Sequence, residues 1–223
     1  MENLPAYISI IFIITTIITV LLLYKATHYS NLVVIIILLW LILQAVISLS
    51  GFYKVTTTLP PRITLLLIPP VLFILYLFTT KKSLKIILGL DIGTLTLLHV
   101  VRIPVELTLY MLYLHKVIPG VMTFEGRNFD ILCGISAPFI YYFGYIKKVL
   151  NRKILLAWNV ACVLLLANIV ITAILSAPFP FQQLAFEQPN IAVLYFPYIW
   201  LPGCIVPIVI FAHAVCIKQL ANT

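Results

Sequence analysis

Two ionisable residues, Arg102 and Glu106, lie four positions apart in a stretch of sequence that is otherwise almost entirely apolar. Side chains spaced in this way share one face of a helix and can form an ion pair. At about 100° per residue, further polar residues fall within roughly 100° of the same helix face: Asp91, His99, Tyr110 and Tyr113. An ionisable group at membrane depth persists mainly where it faces a bundle interior or a wet cavity. The spacing therefore predicts a polar ligand site or a proton relay along this face.

The same face also has a structural interpretation. A buried ion pair between Arg102 and Glu106 would hold this helix against its neighbours without binding anything. His213, near the inner end of the last predicted helix, is expected to be unrelated to His99. The alignment of His99 and the two tyrosines with the charged residues favours a site, because a structural ion pair would not require them.

A second polar segment, Thr123–Asp130, has the sequence TFEGRNFD. Gly126 permits a tight turn, and Asn128 or Asp130 can cap the helix that follows. Those roles leave Glu125 and Arg127 without an assignment. The segment is therefore either a structural turn or the outer wall of the site, where Arg127 would clamp a carboxylate or phosphate, or pair with Glu106.

Composition identifies the elements that must position these residues. Of the 223 residues, 63% are hydrophobic and 9% are charged, whereas soluble domains carry about 25% charged residues. The chain is therefore predicted to be an all-α, polytopic integral membrane protein that forms a single transmembrane domain, residues 1–223. Apolar segments near the length that a bilayer requires predict seven transmembrane helices, at residues 4–24, 31–53, 63–79, 86–117, 131–146, 154–176 and 191–216.

The distribution of charge predicts the topology. Although the net charge is +8, nine basic residues fall in the odd-numbered connections and the C-terminal segment, and four fall on the other side. By the positive-inside rule, the N-terminus is outside and the C-terminus is cytoplasmic. We therefore interpret the basic surplus as a topology signal of the cell's inner (plasma) membrane and expect no nucleic-acid partner.

Several classes of site are not supported by the sequence. The four cysteines, Cys133, Cys162, Cys204 and Cys216, lie in predicted helices without CxxC spacing and are expected to be buried apolar residues. No HxxxH or HExxH motif is present, so no metal is predicted. A retinal protein would need a lysine within the last helix, where this chain has only Lys218, beyond its end. No cofactor is therefore predicted.

The leading functional hypothesis is binding or transport of a small polar or anionic ligand, with or without a lipid tail, in a cavity that opens to the outer face. The expected lining residues are His99, Arg102, Glu106, Tyr110, Tyr113, Glu125, Arg127, Asn128 and Asp130. One alternative is a membrane-embedded enzyme acting on a lipid or isoprenoid, with Glu106 or His99 as general base. A second alternative is a structural subunit that docks another membrane protein. The expected partners are membrane lipids and the ligand, and association with further copies of the chain is an open alternative.

The predicted topology can be tested by cysteine labelling. A cysteine introduced at Lys148 should be labelled only from the cytoplasm and one at Arg127 only from outside, because the basic connections stay inside. Labelling of intact cells with a membrane-impermeant maleimide measures this. The reverse pattern would contradict the orientation.

Overall fold

Over residues 4–222, which the computed structural model describes, the chain is helical and contains no strand. The α-helices of this range are α1 (Ala6–Ala26), α2 (Asn31–Leu49), α3 (Thr64–Thr79), α4 (Lys81–Leu88), α5 (Ile92–Leu98), α6 (Arg102–Leu114), α7 (Ile131–Tyr141), α8 (Arg152–Leu175) and α9 (Val206–Asn222). Five helical segments of this range are long and apolar enough to cross a membrane: α1, α2, α5 with α6, α8, and α9 with the π-helical turn before it. The predicted all-α membrane architecture is confirmed.

The number of spans beyond these five depends on two further helical segments. α3 and α4 would together form a sixth span, but the chain bends by 93° between them, and the helix at Ile131–Ile146 is shorter than the others. The count of seven and the orientation therefore stay predictions, as does the choice of the inner membrane.

The third predicted helix ends at Thr79, as predicted, and α4 follows as a separate helix. Thr80 caps the first turn of α4, since its Oγ1 accepts from Ser83 N at 3.2 Å. The fourth and seventh predicted helices begin later than predicted. The fourth begins at Ile92 rather than at residue 86. The seventh becomes regular only from residue 201, because Pro197 and Pro202 lack the backbone N–H that a helix interior requires.

The span formed by α5 and α6 is interrupted at its centre by a 3-10 turn, His99–Val101. Pro104 explains the break, since a proline inside a continuous helix removes a hydrogen bond and clashes with the preceding turn. After the interruption Pro104 lies in the first turn of α6, where an N–H would have no partner within the helix. The turn thus places His99 and Arg102 at the junction of two short helices.

This central span is surrounded by the rest of the bundle. α5 packs against α1, α7 and α9, α6 packs against α1 and α7, and α8 packs against α9. In the 18-residue apolar stretch of this central span, 61% of the residues are buried, whereas in that of α2 only 17% are buried. The centre of the predicted polar face therefore lies in the protein interior.

The helix ends that carry most of the lysines lie together at one end of the bundle, which we call the lysine end. The backbone N–H of Asp91 donates to Ala26 O at 3.1 Å, which joins the end of α1 to the start of α5. Gln219 Nε2 of α9 donates to the carbonyls of Ile87 and Leu90, each at 2.9 Å. The lysines of α4 and Lys25 are therefore neighbours of the end of α9.

At the opposite end, the connection between α6 and α7 is joined to α8 and to the connection between α8 and α9. Ile191 N donates to Val117 O at 3.1 Å, and Asn168 Nδ2 donates to Arg127 O at 2.8 Å.

Two tryptophans hold the peripheral helix α2 to the segment before α9. Trp40 Nε1 donates to Gly203 O at 2.8 Å, and Trp200 Nε1 donates to Leu41 O at 3.0 Å.

Gly134 of α7 allows the close approach of α7 to the central span. A Cβ at this position would lie 3.0 Å from Ile103 N and 2.9 Å from Ile103 Cγ1. We expect Gly134→Val to lower the free energy of unfolding by about 1 to 3 kcal/mol, as overpacking does in other cores, measured as a lower melting temperature in detergent. Ile135→Val, on the exposed side of α7, is the matched control and should change little. Equal melting temperatures for the two variants would show that α7 does not depend on this contact.

Candidate functional site

The three polar residues at the centre of the predicted face are buried inside the protein. His99 is 0% exposed, Arg102 3% and Glu106 1%. His99 lies in the 3-10 turn, and the other two lie in the first two turns of α6, so their side chains follow one another along the face. The partners of Arg102 and Glu106 within the protein are therefore groups that other parts of the chain bring to them.

The Thr123–Asp130 segment folds inward and supplies two of those groups. Thr123 O accepts from the backbone N–H groups of Gly126 and Asn128, which closes a tight turn. A Cβ on Gly126 would collide with the backbone of Gly120 and Val121, so the turn requires a glycine there. Asn128 and Asp130 are consequently buried. Asp130 precedes α7 without a side-chain capping bond, and Asn128 Oδ1 accepts from Asp130 N at 3.1 Å.

Arg102 pairs with Asp130 and not with Glu106, so the predicted i, i+4 ion pair is wrong. Its Nη1 lies 2.8 Å from Asp130 Oδ1, the single ion pair among residues 4–222. Glu106 instead accepts from Asn128 Nδ2 at 2.6 Å. The inward fold of the loop places Asp130 within reach of the guanidinium, and periodicity within one helix could not reveal this.

His213 of α9 is a member of this cluster that sequence reasoning missed. Arg102 Nη2 lies 2.9 Å from His213 Nε2 and can only donate, so that nitrogen is the unprotonated one. His213 Nδ1 then donates to Asn159 Oδ1 at 2.9 Å, while Asn159 Nδ2 donates to Leu155 O. The bonds are mutually consistent and fix a neutral imidazole with its proton on Nδ1. The sequence did contain one signal for His213, because an ionisable residue within an apolar span is expected to face the protein interior.

The expectation that His99 and His213 are unrelated is also wrong. Their rings are stacked with centroids 3.8 Å apart, and the ring of Trp158 lies in an edge-type contact with His99, 5.7 Å between centroids. Neither ring nitrogen of His99 has a hydrogen-bond partner in the structure. His99 therefore contributes stacking to the cluster, which we call the Arg102 cluster: His99, Arg102, Glu106, Asn128, Asp130, Asn159 and His213.

The other predicted site residues lie apart from the Arg102 cluster. Tyr110 donates to Glu125 Oε1 at 3.0 Å, and its ring lies 4.8 Å from that of Phe124 and 6.3 Å from that of Tyr113. These residues form a separate aromatic and acidic group at the opposite end of the bundle. Arg127 is exposed.

Asp91 lies at the lysine end, where it caps α5. Its carboxylate accepts from Gly93 N at 2.9 Å and Thr94 Oγ1 at 2.6 Å. Asp91 therefore lies on the predicted helix face but at the end of the bundle, and it is not part of the buried Arg102 cluster.

A cavity of about 220 Å³ borders the Arg102 cluster. It lies between α3, α6, α8, the loop before α9 and the start of α9, and most of its walls are apolar. Of the predicted site residues, Glu106 and Asp130 line it. Its lining residues include Ile63, Thr64, Leu67, Val105, Leu109, Leu166, Ile169, Ala173, Ile174, Phe179, Phe181, Asn190, Leu201 and Val206.

Comparison of the chain with known protein families, curated proteins and solved structures finds no significant match. All four cysteines are buried, as predicted, and are free thiols. Within residues 4–222, no group of three His, Cys, Asp or Glu residues is placed to hold a metal ion. Functional inference therefore depends on the geometry of the Arg102 cluster and of the cavity beside it.

The pairing of Arg102 can be tested by double-mutant cycles. Removing one partner of a buried pair leaves an uncompensated charge, which costs about 3 to 5 kcal/mol. Arg102→Met and Asp130→Leu should each destabilise the protein strongly, and the double variant should be more stable than the sum of the two losses predicts, as measured by thermal unfolding. The control cycle combines Arg102→Met with Glu106→Gln and should show weaker coupling. Stronger coupling in the control cycle would contradict the assigned pair.

Proposed function

We propose that this protein binds a lipid-like molecule whose apolar chain occupies the cavity between α3 and α8. The observation that carries the proposal is the asymmetry of the cavity walls: aliphatic and aromatic side chains line most of it, and three buried polar side chains, Glu106, Asp130 and Asn190, lie in its wall. Ligand sites combine apolar walls with a few placed polar groups in this way.

The position of the opening supports entry from the bilayer. Ile174 of α8 and Phe181 of the following loop line the cavity and are also 42% and 40% exposed at the protein surface. Because α8 is long and apolar enough to cross the membrane, this surface faces lipid. A molecule already dissolved in the bilayer would reach the cavity without crossing water.

The size of the cavity supports a single flexible chain. Pockets for drug-sized ligands are about 300 to 1,000 Å³, and an apolar cavity of about 150 Å³ is sufficient for benzene. A volume of about 220 Å³ therefore suits part of one alkyl or isoprenoid chain, with the remainder extending toward the bilayer.

The interior behind the carboxylates supports binding rather than passage. Arg102, His99 and His213 are buried there and fill the space beside Glu106 and Asp130. Their burial within the chain also leaves little charged surface for docking another membrane protein. An anionic headgroup receives no support from the geometry, since neither Arg102 nor Arg127 is among the residues that line the cavity.

An enzyme that acts on a membrane lipid is the second candidate. Glu106 favours it, because a carboxyl group that borders an apolar cavity is suited to general acid–base catalysis. Chemical change of added lipids on incubation with the wild-type protein, absent with Glu106→Gln, would support the enzyme. Unchanged lipids would leave binding alone as the proposal.

A filled cavity tests the proposed function directly. Ala173 of α8 lines the cavity, whereas Ala167 of the same helix is exposed. Ala173→Phe should reduce the amount of co-purifying lipid-like molecule at least tenfold, because the ring occupies its space, and Ala167→Phe should leave it unchanged. Mass spectrometry of organic extracts, normalised to folded protein, gives the measurement. Equal amounts from both variants would refute the proposal.

A further inference from the structure

The polar groups of the cavity wall share one chemical property, which is that they accept hydrogen bonds. Glu106 and Asp130 present carboxyl oxygens. Asn190 is 1% exposed, its Nδ2 donates to Ala173 O at 3.3 Å, and its Oδ1 has no partner. The hydroxyl of Thr64, the remaining polar side chain among the described lining residues, already donates to Pro61 O at 2.7 Å.

The charges of the wall are also unbalanced. Arg102 compensates Asp130 at 2.8 Å but does not itself line the cavity. Glu106 accepts a hydrogen bond from the neutral amide of Asn128 and forms no ion pair with a described residue. A ligand that brings a positive charge to this wall would supply the missing partner of Glu106.

We propose that the ligand is a long-chain primary amine, with its chain among the apolar residues and its ammonium group at Glu106, Asp130 and Asn190. An ammonium group carries three donors and no acceptor, which matches a wall of acceptors. Its positive charge strengthens each hydrogen bond to a carboxylate. A carboxylate or phosphate headgroup lacks such donors and brings a second negative charge to Glu106. This assignment rests on the proposed function, since it names the class of ligand for the same cavity.

The test uses three probes of equal chain length, dodecylamine, dodecanol and dodecanoate, added to the full chain in nanodiscs of zwitterionic phospholipid. Native mass spectrometry counts the probe molecules retained by the protein. Ala173→Phe supplies the baseline for unspecific partition, because its cavity is filled. Binding above this baseline is the quantity to compare.

We expect dodecylamine to bind at least tenfold more tightly than dodecanol, and dodecanoate not to exceed the baseline, in line with the strength of charge-assisted hydrogen bonds. Glu106→Gln removes the charge but keeps the shape, so it should weaken the amine about tenfold and leave the alcohol unchanged. The comparison of probes on the natural chain requires no variant and is decisive even if Glu106→Gln does not fold.

Three outcomes would overturn the inference, and only the last of them also overturns the proposed function. If dodecanoate or dodecanol binds above the baseline as well as the amine does, the cavity takes a chain but does not select an amine, so the proposed function stands and the inference falls. The same holds if folded Glu106→Gln retains full affinity for the amine. If no probe exceeds the baseline set by Ala173→Phe, the proposed function fails together with the inference.

Discussion

The ion pair between Arg102 and Asp130 joins parts of the chain that no local interaction would bring together. Arg102 begins α6, Asp130 directly precedes α7, and the second guanidinium nitrogen of Arg102 contacts His213 in α9. A buried guanidinium without a partner is strongly disfavoured, so the fold must deliver both groups at once. The inward path of the Thr123–Asp130 loop is the result, and with it Asn128 reaches Glu106. The polar wall of the cavity thus depends on a contact that lies behind it.

Helical periodicity was sufficient to predict the face that is buried and insufficient to predict its partners. The residue types and spacing of His99, Arg102 and Glu106 placed them together on one face, and burial in an apolar chain follows from the cost of exposing them to lipid. The partner of Arg102 was predicted wrongly because i, i+4 spacing describes a single helix, whereas Asp130 arrives through the fold of a loop. His213 and Asn159 come from separate helices, so only tertiary structure relates them to the cluster.

Departures from the predicted helix ends have equally specific causes. Hydropathy predicted that residues 63–79 are helical, but it could not predict the 93° bend that separates them from the lysine-rich α4. The break in the central span follows from Pro104, and the late start of α9 from Pro197 and Pro202. The cavity was not predictable from the sequence, because α3 and α6 lie far along the chain from α8 and the loop that follows it, which form its other walls.

The bend after α3 also has a consequence for the surrounding bilayer. α3 comprises 16 residues and is therefore about 24 Å long at 1.5 Å per residue, whereas the hydrocarbon core is about 30 Å thick. α4 turns away instead of extending the helix, so hydrophobic mismatch remains on this side of the protein. A bilayer crossed by α3 alone would have to thin beside it, as lipids do around short spans. Since Ile63, Thr64 and Leu67 of this region border the cavity, such thinning would bring lipid headgroups closer in depth to the cavity than an unperturbed bilayer would.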